Sequence, residues 1–319
     1  MSRSNVAKEV NRGAGGGHPL GRPGIRVAVA LACCFLWGCA FPCLKLGYEW
    51  LEITTVGGQI LFAGYRFTLA GIAVFVAGCI MRREIIRIPK GMIGATVGIG
   101  FVQTTLEYLF FYIGLANLTG SEGAITNAMS TFVAILMAHF LVKGDRITAR
   151  KFIGCLIGFG GVVITNTGGI TAGFSLMGEG MMLLAAASYG AGSVLTKMVS
   201  HKIDPVVLTA YQLTFGGAIL IVIGLLSGGR VGAFDGASLL LFMYMVFISA
   251  VAFGLWTALL KYNKVSQITV FNFSIPLFGV LLSALFLGEN VMSPALVIAL
   301  ILVSLGIGLA NTGKGGSDE

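Results

Sequence analysis

The side chains best placed to do chemistry are Arg66 and Glu107, because each is a charge deep inside a long apolar segment. A charge at mid-membrane costs about 3 kcal/mol or more, so it faces a cavity or a partner. At 1.5 Å per residue, Arg66 lies about 15 Å from the outer end of its segment and Glu107 about 13–14 Å from the outer end of the next. The two segments are consecutive, so their helices run antiparallel and equal depth permits an ion pair. Two readings follow. One is a static pair that fastens the two helices. In the other, Arg66 or Glu107 faces a cavity and meets a charged group of a substrate or a coupling proton.

A second tier of polar and aromatic residues lies at comparable depth. Asn127 and Asn272 occupy corresponding points of two similar stretches. With Trp37, Tyr65, Tyr108, Tyr189 and Trp256 they could line a neutral or amphipathic pocket, although most aromatics in such a protein serve packing or the membrane interface. Pro276 removes a helical N–H and frees a backbone carbonyl, and such breaks occur where helices line a cavity. Its counterpart is Phe132, so of these two helices only the one with Pro276 should bend. Lys45 lies near the outer end of its segment, where it either snorkels to the interface or contributes to a gate. Lys197, near an inner end, reads as a snorkelling residue, and His139 as interfacial rather than a proton relay.

Other chemistries are not supported. The six cysteines, Cys33, Cys34, Cys39, Cys43, Cys79 and Cys155, all lie in apolar stretches and form no metal-ligand pattern. They read as small packing residues. There is no Gly-rich loop ending in Lys-Ser/Thr and no His-Glu-x-x-His motif. No catalytic residue, metal or cofactor is therefore expected. The charged-ring pattern of a channel filter is also missing.

The elements that must hold these residues are membrane helices. Of 319 residues, 56% are apolar and 11% charged, against about 25% charged in ordinary soluble domains. Mean hydropathy is +0.91. Ten segments reach the roughly 20 apolar residues that span a bilayer: 26–47, 56–81, 92–116, 121–142, 149–167, 177–199, 205–226, 237–260, 266–287 and 293–311. Thr148, Asp204-Pro205 and Ser293-Pro294 carry helix-start chemistry. Residues 1–25 are polar and basic with a Gly-Gly-Gly run, and read as a disordered tail rather than a cleaved signal. A second short tail covers 313–319.

Charge sets the orientation. With the N-terminus inside, eighteen of the 21 Lys and Arg fall on the inner side and only Arg230 in an outer loop. Both termini are therefore expected in the cytoplasm, by the excess of basic residues in cytoplasmic loops. The same rule accounts for the net charge of +8 without invoking nucleic acid.

The chain also repeats. Trp37-Gly38 and Tyr189-Gly190 are each followed by a lysine, Lys45 and Lys197. Tyr65 and Thr68 match Tyr211 and Thr214, and Asn127 to Ser130 matches Phe271 to Ser274. Lys143-Gly144-Asp145 matches Leu287-Gly288-Glu289, and Thr165 to Gly168 matches Ala310 to Gly313. An odd number of helices per half, five, inverts the second half. The expected architecture is an all-α membrane protein of two inverted five-helix repeats, 26–168 and 169–312, with any substrate site between them near the midplane.

These features resemble the drug/metabolite transporter superfamily, and within it the ten-span EamA-type carriers. The resemblance rests on Trp37-Gly38 through Lys45, Tyr65-Arg66-Phe67 with Ala70-Gly71, and Tyr112-x-Gly114-Leu115-Ala116. Ser274-x-Pro276, Leu287-Gly288-Glu289 and Gly306 to Asn311 carry it into the second half. It covers about residues 26–312. It implies secondary export or exchange of small polar metabolites such as amino acids by alternating access, in the cytoplasmic membrane of a prokaryote. It also implies that helices 5 and 10 are peripheral. A lipophilic-cation carrier relying on Glu107, or a non-transporting sensor or assembly protein of the same fold, are the alternatives. The partners expected are a small-molecule substrate and membrane lipid.

Overall fold

The computed structural model describes residues 18–118, 120–166, 174–287 and 294–311, and among these the chain is helical with short connections. Ten helical rods succeed one another. They are α1 (Pro23–Trp50), α2 (Val56–Arg82), α3 (93–115), α4 (Gly120–Leu141) and α5 (Ala149–Asn166), then α6 (Leu176–Val199), α7 (Pro205–Leu226), α8 (Gly236–Tyr262), α9 (265–287) and α10 (Pro294–Asn311). Each coincides with one apolar segment of the sequence to within three residues. Five of them, α1, α2, α6, α7 and α8, are long and apolar enough by length and composition to cross a membrane. Large apolar side chains such as Leu240 and Leu305 stand exposed on the outer surface, as lipid contact allows.

The helix starts follow local chemistry. The Asp204 carboxylate accepts from the Val206 and Val207 amides at the start of α7, and Thr148 accepts from the Lys151 amide before α5. Ser293 lies outside the described residues, as do 1–17, Gly288-Glu289, Thr312-Gly313 and the tail 313–319. The polar N-terminal stretch is ordered further back than expected. Residues Pro19–Gly21 form a 3-10 turn and α1 begins at Pro23. The His18 ring stacks on Tyr262 at 3.8 Å, and the Leu20 carbonyl accepts from Asn263.

Besides the π-turn Leu176–Gly180 that opens α6, two rods depart from regular α-helix in their interior. In α3, Gly100–Leu106 is a π-helix between Ile93–Ile99 and Glu107–Leu115, and Thr105 Oγ1 inside it donates to the Gly216 carbonyl of α7 at 3.0 Å. In α9, a short α-turn Val265–Thr269 passes into a 3-10 turn Val270–Phe273 before Ser274–Leu287. Pro276 explains the second, since it has no N–H to offer the Asn272 carbonyl four residues back. The counterpart α4 is one unbroken helix. The π-turn of α3 had no expectation attached to it.

Packing follows corresponding pairs. The rod α2 packs on α7, and α5 on α10. Likewise α1 packs on α9 and α8, while α6 packs on α4 and α3. Close approach of α2 and α7 depends on glycine: a Cβ at Gly71 would lie 2.5 Å from the Thr214 nitrogen and 2.6 Å from the Ala210 carbonyl oxygen. Small residues at such seams let helix backbones meet. Apolar clusters fill the remainder, one around Phe271 and Phe273 of α9, another around Phe62, Phe67 and Phe253.

Candidate functional site

A cavity of about 130 Å³ lies between seven of the rods. α1 contributes Trp37, α2 Arg66, α3 Gln103, Glu107 and Tyr108, α4 Asn127 and α6 Tyr189. α8 contributes Ser249, Phe253 and Trp256, and α9 Asn272 and Pro276. Among the described residues, α5, α7 and α10 contribute nothing to its lining.

Among the described residues of this wall, Arg66 is the only basic one and Glu107 the only acidic one. They make no ion pair with each other, a correction to the pairing that equal depth permitted. Arg66 is 4% exposed and lies by aromatic rings, its guanidinium carbon 4.4 Å from the Phe67 centroid and 6.0 Å from that of Tyr108. Its Nε has no hydrogen-bond partner, and neither has Glu107 Oε2. Depth along a helix fixes how far a residue sits from the membrane surface; it does not fix which way the side chain points. In α3 the π-turn changes that direction, because it winds about one residue more per turn than an α-helix.

The rest of the wall is amphipathic. Trp37 and Trp256 meet edge to face at 4.9 Å, and Trp37 meets Phe253 at 5.6 Å. Both indole N–H groups are buried without acceptors. Asn272 Nδ2 donates to the Tyr189 hydroxyl at 2.7 Å, which leaves Asn272 Oδ1 unpartnered. That carbonyl sits in the 3-10 turn ahead of Pro276, so the backbone break and the polar side chain occupy the same place. Also on the wall, Gln103 Oε1 accepts from Thr196.

Of the residues singled out from sequence, Trp37, Arg66, Glu107, Tyr108, Asn127, Tyr189, Trp256, Asn272 and Pro276 share this cavity. Tyr65 does not. It is half-buried and packs against the apolar cluster around Phe62 and Phe67. Lys45 is exposed and absent from the lining. Lys197 does not snorkel: its Nζ donates to the Lys261 and Asn263 carbonyls, at 3.1 and 2.7 Å, closing the end of α8. His139 Nδ1 accepts from the Ile147 amide, a local turn contact. Sequence reading missed Gln103, Ser130 and Ser249 on the wall. The signal available for Gln103 was its place four residues before Glu107.

The chain resembles known proteins over most of its length. The model of the EamA-like transporter family matches it twice, over residues 24–167 and 176–312. The uncharacterized transporter YvbV of Bacillus subtilis is 27% identical over 299 residues, covering 91% of this chain and 93% of that protein. A Salmonella typhimurium protein named "Probable amino-acid metabolite efflux pump" is 22% identical over 293 residues, covering 86% and 91%. A solved crystal structure superposes with a TM-score of 0.73 at 20% identity, over 89% of this chain and 95% of that one.

Proposed function

Because this chain belongs to the EamA-like transporter family and is an integral membrane transporter, we propose that it moves small zwitterionic metabolites, amino acids foremost, by alternating access. One observation carries the reading: among the described residues, one basic and one acidic side chain, unpaired with each other, on one cavity wall. A buried charge without a partner is costly. An occupant carrying a carboxylate and an ammonium offsets both costs at once. Arg66 and the indole N–H groups of Trp37 and Trp256 would take the carboxylate, and Glu107 with Asn272 Oδ1 the ammonium. Each charge-assisted contact is worth about 1.5–3 kcal/mol. The name of the Salmonella relative agrees with this class.

The architecture we assign is ten spans in two inverted repeats, residues 26–168 and 169–312, with both termini cytoplasmic. Three facts support it. The family model matches the chain twice, the helices pair in corresponding sets, and basic residues alternate between sides as cytoplasmic loops require. Glu107 is the only acidic group on the described wall, so coupling to a proton would run through it.

A carrier of lipophilic cations is the second reading, favoured by Glu107 among aromatic rings. Arg66 on the same wall opposes it. Counterflow in proteoliposomes separates the two. Radiolabelled amino acids should exchange while quaternary ammonium compounds and simple carboxylates do not. Exchange of quaternary ammonium ions alone would overturn the zwitterion reading, and flux of neither class would return the chain to a sensor or assembly role.

A further inference from the structure

One cluster of buried polar groups lies outside the cavity, where the α4–α5 turn meets the start of α9. The Asp145 side chain is almost wholly buried. It accepts from the Ser266 amide at 3.0 Å, from the Ser266 hydroxyl, and from Lys151 Nζ at 3.0 Å. Lys151 Nζ also donates to the Ser266 hydroxyl and to the Arg146 carbonyl. A carboxylate from the first half thus holds the opening turn of a helix from the second half, 121 residues away.

Neighbouring bonds at the same end tie further rods into this cluster. Lys197 at the end of α6 holds the carbonyls of Lys261 and Asn263 after α8. Asn263 Nδ2 reaches back to the Leu20 carbonyl before α1, and Arg26 of α1 donates to Gln267 of α9. Five of the seven rods that wall the cavity, α1, α4, α6, α8 and α9, are therefore fastened together at one end. The cavity lies about 12–16 Å further along α1 and α6, judged from Arg26 to Trp37 and from Lys197 to Tyr189 at 1.5 Å per residue. A bundle cannot admit a solute at an end so tied.

We propose that the Asp145–Lys151–Ser266 cluster is the latch that closes this mouth of the cavity, and that its opening is linked to occupancy through α9. The inference rests on the transporter reading for its purpose, though not for its test. In α9 Ser266 of the latch and Asn272 of the cavity are six residues apart, and Asn272 lies within the 3-10 turn Val270–Phe273. That turn is held by Thr131 and Cys34, which donate to the Thr269 and Phe271 carbonyls. A contact on Asn272 thus acts on the segment that Asp145 holds. The latch carries two charges that satisfy each other and one serine, so loss of either charge leaves the other buried without its counter-ion. Such a state is relieved by admitting water, which is what an open mouth does.

The test reads accessibility and needs no substrate. None of the six native cysteines is a lining residue, so the parent chain gives the background. A reporter cysteine at Ala128→Cys on the α4 wall is reacted with a membrane-impermeant thiol reagent, in inside-out and in right-side-out vesicles. With the latch intact, labelling from the latch side should be slow. Asp145→Asn should speed it at least tenfold and slow it from the opposite side. Ser266→Ala, which keeps the amide bond to Asp145, should give a smaller rise of the same sign and remains informative if Asp145→Asn fails to fold. Rates equal to the reporter parent in folded Ser266→Ala and in any folded Asp145→Asn would overturn the latch. Amino-acid flux is measured separately, so absence of flux would count against the zwitterion reading and leave this result standing.

Discussion

The α2–α7 seam and the central cavity are adjacent, share the α2 helix, and are built on opposite plans. At the seam, backbone lies on backbone. A Cβ at Gly71 would collide with Thr214 and Ala210, and one at Gly217 would stand 2.5 Å from the Thr68 nitrogen. Across the cavity, side chains hold back and leave charged and indole groups without partners. The seam also leaves the hydroxyls of Thr68 and Thr209 unpaired, but an unpaired hydroxyl costs far less than an unpaired charge. A chain that packs to contact in one region is not loosely packed by default in the next. The difference teaches that the unpaired groups of the cavity, unlike those of the seam, include a guanidinium nitrogen and a carboxyl oxygen, and these ask for an occupant.

The largest effect should come from filling the seam. Gly71→Val places atoms against a backbone nitrogen and carbonyl that cannot move separately from their helix. Overpacking on that scale costs about 3 kcal/mol or more, so the purified protein should lose its monodisperse chromatographic peak or melt far below the parent. Gly254→Ala, where nothing lies within 4 Å of the added carbon, should be nearly silent. Equal tolerance at both positions would break the contrast, because the seam would then be no tighter than an open helix face.

On the cavity side the expected loss is of function. Arg66→Met and Glu107→Gln should each lower kcat/KM for amino-acid exchange about 10- to 100-fold, the range for losing one charge-assisted contact. Melting temperatures should stay near the parent, since neither side chain has an ionic partner in the fold. A large drop in Tm with exchange intact would move both residues from the site to the scaffold.

A smaller and sharper quantity is the coupling between them. For a buried ion pair, removing one partner costs about 3–5 kcal/mol and removing both restores much of it. Arg66 and Glu107 form no such pair with each other. In a thermodynamic cycle of Arg66→Leu, Glu107→Leu and the double variant, the stability coupling should fall below about 0.5 kcal/mol. A coupling of several kcal/mol would reinstate the static pair and weaken the case for a zwitterion.

Why the sequence revealed the residues but not their arrangement has a physical answer. Arg66 and Glu107 declare themselves by type, since a charge in an apolar stretch is visible in one dimension. Helix ends follow from hydropathy and caps such as Asp204, whose carboxylate does hold the α7 amides. Pairing depends on rotation about the helix axis. The π-turn that resets α3 has no compositional mark in Gly-Phe-Val-Gln-Thr-Thr-Leu. Asp145 and Lys151 read as ordinary loop charges because their partner Ser266 is more than a hundred residues away. Lys45 and Tyr65 were placed with the site by their position in the sequence, and neither lines the cavity.

The smallest effect should come from α3, whose neighbouring residues touch both α7 and the cavity. In α3, Thr105 Oγ1 donates to the Gly216 carbonyl of α7, while Gln103 and Glu107 on either side of it line the cavity. Thr105→Val keeps the branched shape and removes one hydrogen bond. The net cost should be about 1 kcal/mol, read as a modest fall in Tm, with exchange kinetics unchanged. That outcome would mean the π-turn is fixed by the backbone seam, and that the cavity inherits the direction of Glu107 from it. If exchange falls while Tm does not, the Thr105 bond is holding Glu107 in place for the occupant. The two regions would then be one mechanism, with the seam acting as the spring behind the site.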